Sequence, residues 1–599
     1  MIAQPTTKDF LITEENPEQS SMLFNGVSAD RTAAMDLNDL TVDVDLTRER
    51  ILWLVHDLAG MDELEQIFQK VSECSKVILV LPPSHAQRWG GQQAAQRVQD
   101  LLTQKRLAIV LDAPVEEQVK ALTQLIDIDS FDSWKPLLSK SFLQKNANYV
   151  QSLYRQLAIQ INIKTLMKST SLQKGVSFLR NAMINAPLVS GRQSVRSLKG
   201  QLKDRPAIVV SAGPSLNKQM ETLAANKDLF TIFAVDRVWP ILKKHGITPD
   251  FVVSLDPNSK PSWSENGLDK ETTLMVDLGS SPELVWSHNA NHVFTSCNAE
   301  VNALMAEMGT RAEPMSTGGS VATTAMSLAL YMGANPIVLI GQDLALTGGK
   351  AYADGYMYKP ADAYLKQQYD SGFDIVGYNG ETVRTDRQLL FYKTWFENRI
   401  KSLMPEQMVI NSTEGGASIA GALQIPFAAV CAELSASQLT KPQLTQYAPT
   451  VPDTEHLQSL ITNVETLIEK IKAFRAIAQR GEAVVRSKAR QSQDKRLGKI
   501  DKINQELMKF EGAAKFVVDV FGMAKLEAIR YQMVVRKDLD HLDDAVKKYG
   551  EVYDSVMDSC DLSTAMMFKL IECYTSVLNH KNMDCSLIEK MTGVHHGKP

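Results

Sequence analysis

The 599-residue sequence has six cysteines, at positions 74, 297, 431, 560, 573 and 585, and no two form a CxxC pair. That spacing disfavours a zinc site and a secreted disulfide framework, and it fits a reducing, cytoplasmic compartment. Excess positive charge is also missing. Lys and Arg number 64 against 69 Asp and Glu, a formal net charge of −5, so no global field draws the chain to nucleic acid. Histidine is scarce, and none occurs between His292 and His456. Residues 1–21 lack the basic region and apolar run of a secretory signal and read as a loose tail. Residues 314–342 contain no charged side chain, a run long enough for a membrane span. Gly318, Gly319, Gly333, Asn335 and Pro336 interrupt it, so it reads as a core helix followed by a core strand.

What remains is globular in composition, 44% hydrophobic and 22% charged, and too long for one core; about three or four domains are expected. After a tail over 1–47, residues 48–135 alternate apolar runs ("ILWLVHD", "KVILVLP", "LAIVLDA") with amphipathic segments, the pattern of βαβ units on a small parallel sheet. No glycine-rich loop follows these strands, so this α/β domain reads as structural or partner-binding. A polar helical connector is expected over 136–198, a central α/β domain over 199–430, and an α-helical domain over 431–599. The last is argued from Leu457, Leu460, Ile461, Val464, Leu467, Ile468 and Ile471, which recur at helical spacing. Basic residues cluster at Lys470, Lys472, Arg475, Arg480, Arg486, Lys488 and Arg490, either a solvated helix face or a surface for an acidic partner.

The central region carries the sharpest signals. "PAIVVSAGPSL" reads as a buried strand that breaks at Gly213, Pro214 and Ser215 into a helix, a turn that can aim backbone N–H groups at a phosphate or simply join two elements. Further strands end at Asp236, Asp256, Asp277, Ser296, Asp343 and Asn411. In an open parallel sheet these side chains share the carboxyl rim where ligands bind. Singly, each Asp is better explained as a helix cap or turn residue; their repetition at the same topological place favours ligand contact for the set. A second glycine turn, Ser316, Thr317, Gly318, Gly319 and Ser320, opens a helix. It would clamp a phosphate from the other side, chiefly through N–H and hydroxyl hydrogen bonds.

The motifs "AGPSL", "AVDRVWPILKKHGITPDFVVSLDP", "STGGSVATTAMSLALYMGANPIVLIGQDLAL", "YADG" and "NSTEGGASIAG" together resemble the motility-associated factor (Maf) family of flagellin glycosyltransferases over roughly residues 180–425. The resemblance implies transfer of a nonulosonic acid, pseudaminic or legionaminic in type, from a CMP-sugar to Ser or Thr of flagellin in the cytoplasm. The same motifs are more distantly similar to bacterial CMP-sialic acid sialyltransferases, which implies a Rossmann-like, sialyltransferase-type central domain. By that similarity Gly213, Pro214, Ser215, Ser316, Thr317 and Gly318 cradle the CMP phosphate and ribose, and Asp236 and Asp256 line the cytidine and reaction side.

Two departures shape the expected mechanism. The sialyltransferases typically present asparagine where this chain has Asp236 and Asp256. The two carboxylates either contact ribose hydroxyls and backbone or hold a hard cation such as Mg²⁺. The sialyltransferase histidine base has no counterpart between His292 and His456. Thr317, Ser320 and the helix termini are left to stabilise the departing phosphate, with Asp343, Asp354 and Glu414 as candidate bases. A family containing an archaeal pterin diphosphokinase shares the "GPSL" and "SLDP" style of motif, and there Asp236 and Asp256 would hold Mg²⁺ on ATP. A non-catalytic flagellin-binding protein is the third reading, left open by the missing histidine.

Overall fold

Strands β1 (Ile51–His56), β2 (Lys76–Leu81), β3 (Leu107–Leu111) and β4 (Ser133–Leu137) form an all-parallel sheet in the order β3-β2-β1-β4. Alternate residues of β1 and β2 serve two apolar layers: Leu52, Leu54, Ile78 and Val80 on one face, Ile51, Trp53, Val77 and Leu79 on the other. A parallel sheet covered on both faces needs such uninterrupted apolar runs. The computed structural model describes residues 51–580 apart from 57–60, 72–74, 82–91, 105, 112, 129–130, 132, 190–193, 259–267, 269–270, 287–290, 356–361, 438–440, 443, 445–451, 488–492 and 524–541. The expected tail, Cys74, Cys585, Lys488 and Arg490 lie outside the described residues.

The chain divides into residues 1–170 and 171–599, not at 135 and 198. The division falls inside one long helix, Lys140–Asn185, for a packing reason. Val150, Leu153, Tyr154 and Leu157 belong to a core of the first sheet. Leu179, Ala182, Met183 and Ile184 belong to the core of the second unit. Strand β4 also crosses the boundary expected at 135.

The second unit is built on a nine-stranded parallel sheet. Its strands are β5 (Ala207–Val210), β6 (Thr231–Val235), β7 (Phe251–Ser254), β8 (Thr273–Asp277), β9 (Asn291–Ser296), β10 (Glu313–Pro314) and β11 (Ile337–Ile340). An antiparallel hairpin, β12 (Phe373–Val376) and β13 (Thr382–Thr385), intervenes before β14 (Val409–Asn411) and β15 (Leu423–Gln424). The order β10-β9-β8-β7-β6-β5-β11-β14-β15 runs outward both ways from β5, so the strand order reverses between β5 and β11. This is the mixed α/β architecture expected, with the helical C-terminal region following.

The uncharged stretch resolves into helix Val321–Tyr331 and strand β11, as read from its glycines. Every residue from Ala322 to Ala329 of that helix is buried, and Ala322, Ala325 and Ala329 let it lie close to the sheet. Among the described residues no helix is long and apolar enough to cross a membrane. Helix Thr454–Arg486 buries Leu457, Leu460, Val464, Leu467, Ile468 and Ile471 of the expected stripe, leaves Ile461 half-buried, and packs on Leu542–His580. Their apolar side chains join the same core as the sheet. The basic cluster is spent within this unit: Arg475 pairs with Asp561 at 2.7 Å, Lys470 with Glu307 at 3.8 Å, Lys472 with Glu469 at 2.7 Å, Arg486 with Glu482 at 2.5 Å, and Arg480 with Glu506.

Candidate functional site

At the reversal point, the turn after β5 meets the turn after β11. Gly213 donates its N–H to Gly341 O at 2.9 Å. Pro214 then opens the helix expected there, first as a short 3-10 helix, Pro214–Lys218, and then as α-helix Met220–Asn226. Ser215 turns inward: its hydroxyl donates to Asp343 Oδ2 at 2.5 Å and its N–H to Oδ1 at 3.2 Å. The N–H expected to face an external anion therefore already faces an internal one. Burial holds the Asp343 carboxyl above its ordinary value, and the Ser215 bonds and the Lys218 charge oppose that shift. Gly213 is required here by close approach, because a Cβ would lie 2.5 Å from Gly341 O and 2.8 Å from Asp343 Cγ.

The loop after β14 closes the other side. Gly416, at φ +69°, lies so near Asp343 that a Cβ would sit 2.5 Å from its Cα. Glu414 also occupies the left-handed region, φ +55°, which is uncommon for a non-glycine residue and marks a conformation held by its surroundings. Its Oε1 accepts from Phe427 N–H at 2.8 Å, and its carbonyl accepts from Lys218 Nζ at 3.3 Å. Tyr378, in the hairpin turn, donates its N–H to Gly416 O at 2.8 Å. Burial and the nearby Glu414 charge push its phenol up to about 12. Asp354 stands differently. It is exposed, paired with Lys350 at 2.9 Å, and its N–H donates to Asn217 Oδ1 at 3.0 Å.

Further along the rim, buried Asp236 accepts from Ser254 Oγ at 2.6 Å and Arg237 N–H at 2.8 Å. Burial raises its pKa, and the Asp256 charge adds to the rise. Asp256 accepts from Asn258 N–H at 2.9 Å and lies 3.5 Å from Lys174 Nζ. Among the described residues no cluster of three or more His, Cys, Asp or Glu is placed to hold a metal ion. Two carboxylates, one spent on its neighbours and the other beside a lysine, do not make the oxygen cage a hard cation takes. We derive no chemistry through one.

Asp277 is buried, accepts from Gly279 N–H at 2.8 Å and Cys297 N–H at 2.7 Å, and is raised by burial. In the second glycine turn, Ser320 caps helix Val321–Tyr331 in a capping box with Thr323. Thr317 Oγ1 accepts from Gly319 N–H at 3.2 Å and from Thr324 Oγ1 at 2.9 Å, while Ser316 is exposed. Helix Arg387–Lys401 supplies the reason for both glycines. A Cβ on Gly318 would lie 2.7 Å from Trp395 Cδ2, and one on Gly319, at φ +80°, would lie 3.1 Å from Phe391 Cε1. The two turns thus occupy one carboxyl rim, the first at β5 and β11 and the second before a helix that packs across β5, β6 and β7.

Sequence reasoning passed over the end of helix Lys140–Asn185. There Asn181 Nδ2 donates to Pro257 O at 2.8 Å and Gly279 O at 3.2 Å, and Asn185 Nδ2 donates to Leu278 O and Ser280 O at 2.9 Å each. These amides tie the loops following β7 and β8. Their i, i+4 spacing was the available signal, since it puts both on one helix face.

With 14% identity and a TM-score of 0.54, the structure of a Maf glycosyltransferase from Magnetospirillum magneticum AMB-1 matches 90% of this chain and 82% of its own. The fold is that of a Maf glycosyltransferase. The 6-hydroxymethylpterin diphosphokinase MptE-like family matches residues 180–349, the part that holds both turns. Two uncharacterized proteins of Treponema pallidum (strain Nichols) are similar over shorter stretches. One is 35% identical over 89 residues, 15% of this chain and 41% of its own length. The other is 28% identical over 210 residues, 32% of this chain and 36% of its own. The chain thus spans about two fifths of the curated relatives it matches.

Proposed function

We propose that this protein is a glycosyltransferase that moves a nonulosonic acid, pseudaminic or legionaminic in type, from a CMP-activated donor to Ser or Thr of flagellin in the cytoplasm. One observation carries the reading: the Ser215 and Asp343 turn pair sits at the strand-order reversal of a Maf-like sheet, the place where open α/β sheets take their ligands. The donor phosphate lies along the rim between that pair and the turn at Ser316 and Thr317. The Ser316 and Thr317 hydroxyls there stabilise the charge that develops as the CMP leaves, since the N–H groups of Gly213, Ser215 and Gly319 are spent within the turns. Of the three candidate bases, Asp343 is buried and positions Ser215, while Asp354 is exposed and paired with Lys350. Glu414 is assigned the base role. Its backbone is constrained, and among the described residues Oε1 is held by the Phe427 N–H while Oε2 makes no hydrogen bond.

The match of residues 180–349 to the MptE-like family favours a second reading, an ATP-dependent pterin diphosphokinase. Calorimetry separates the two. The glycosyltransferase reading expects binding of CMP without added metal, and affinity for ATP with Mg²⁺ but none for CMP overturns it.

A further inference from the structure

Arg180 lies on the last turns of helix Lys140–Asn185 and is 5% exposed. Its Nε and Nη2 both donate to Asn181 Oδ1, at 3.2 and 3.0 Å. The Asn181 amide cannot turn away, because its Nδ2 is held by the carbonyls of Pro257 and Gly279 at the carboxyl ends of β7 and β8. One edge of the guanidinium is therefore fixed, and Nη1 makes no hydrogen bond among the described residues. Among the described residues it forms no ion pair either. Glu283 is the acid whose field reaches it, and the other carboxylates of this part of the rim are committed: Asp256 to Lys174 and Asn258, Asp277 to Gly279 and Cys297.

A buried cation without a counter-ion is costly, and proteins keep one where something else supplies the charge. A planar guanidinium with an unspent amino group suits the paired oxygens of a carboxylate or phosphate. Its anchors also place it. Strands β7 and β8 stand two and three positions from β5, about 10 to 15 Å along the rim from Ser215 at the usual strand spacing. A nucleotide-linked nine-carbon sugar acid spans that distance.

We propose that Arg180 is an anion-recognition residue, its Nη1 receiving an oxyanion of the bound donor, carboxylate or phosphate. This rests on the glycosyltransferase reading. The test titrates CMP and CMP–N-acetylneuraminate into the wild-type chain, Arg180→Gln and Arg180→Lys by calorimetry, with thermal unfolding of each apo protein. For Arg180→Gln the expected result is a loss of about 10- to 100-fold in affinity for the sugar nucleotide, with an apo thermal midpoint equal to or above wild type. Arg180→Lys, which keeps the charge but not the fork, recovers part of the affinity, and carries the titration if the glutamine variant does not fold.

Loss confined to CMP–N-acetylneuraminate identifies the anion as the sugar carboxylate, and equal loss for CMP identifies the phosphate; both support the proposal. Unchanged binding of both ligands by Arg180→Gln overturns it, as does a lowered thermal midpoint with binding intact, which is the mark of a structural strut. Wild-type protein that binds neither ligand removes the glycosyltransferase reading and this inference together.

Discussion

Replacing Gly213 by alanine probes the contact that closes the reversal point. The backbone there is ordinary, φ −69° and ψ 159°, so alanine carries no conformational penalty and the cost is steric. The added carbon would lie 2.5 Å from Gly341 O and 2.8 Å from Asp343 Cγ. Neither neighbour can withdraw: Gly341 follows β11 directly, and Asp343 is pinned by Ser215 and by the backbone of Gly416. Relief comes only by moving the turn off Asp343. Overpacking of this kind costs about 1–3 kcal/mol. Leaving the buried carboxylate without its Ser215 hydroxyl adds about 1.5–3 kcal/mol, so the total is about 2.5–6 kcal/mol. Denaturant unfolding followed by tryptophan fluorescence measures it, with Gly498→Ala as the control. Gly498 sits on helix Gln493–Met508 with no atom of the described residues within 4 Å of an added Cβ, and alanine there stabilises by about 0.5–1 kcal/mol. A Gly213→Ala protein as stable as wild type, with unaltered CMP binding, refutes the closed turn.

Other perturbations have equally defined outcomes. Gly481→Ala destabilises the packing of helices Thr454–Arg486 and Leu542–His580 by about 1–3 kcal/mol in the same unfolding assay, because its Cβ would lie 2.5 Å from the Tyr553 ring. Asp236, Asp277 and Asp343 are all raised by burial. Such a carboxyl contributes stability fully below its unfolded value of about 3.9 and loses it as pH rises through the folded value. Asp236→Asn therefore keeps the fold and flattens the loss of stability above pH 4 relative to wild type, since the Ser254 hydroxyl can reverse from donor to acceptor; an unchanged pH profile would count against the buried charge. Glu414→Gln abolishes sugar transfer in a product-mass assay while donor affinity by calorimetry is kept; full turnover removes Glu414 from the mechanism. Asp343→Asn, which weakens the hold on Ser215, lowers donor affinity in the same titration, and normal affinity would contradict its positioning role.

How much of this was legible in the residues varies by element. Strands β5, β6, β7, β8 and β11 were plain because parallel strands buried on both faces must be uninterrupted apolar runs, and each is buried throughout. The two-residue strands β10 and β15 were not, since two residues carry no periodicity. The glycines at 213, 318 and 319 were recognised as special, but the physical cause lay elsewhere in the chain. Asp343, Trp395 and Phe391 are distant in sequence, and only the fold brings them to those turns. Arg180 and Asn181 were missed for the same reason: a polar residue near the end of a long helix looks solvated until tertiary packing buries it. The basic cluster on Thr454–Arg486 was ambiguous in sequence because its acidic partners, Asp561, Glu506 and Glu307, lie on other helices.

Intact mass of flagellin co-expressed with this protein and a supply of CMP-nonulosonic acid tests the central claim most directly. The account predicts a gain of one or more whole nonulosonic acid residues, lost when the protein is omitted or carries Glu414→Gln. Flagellin of unmodified mass in the presence of folded protein and donor would contradict it.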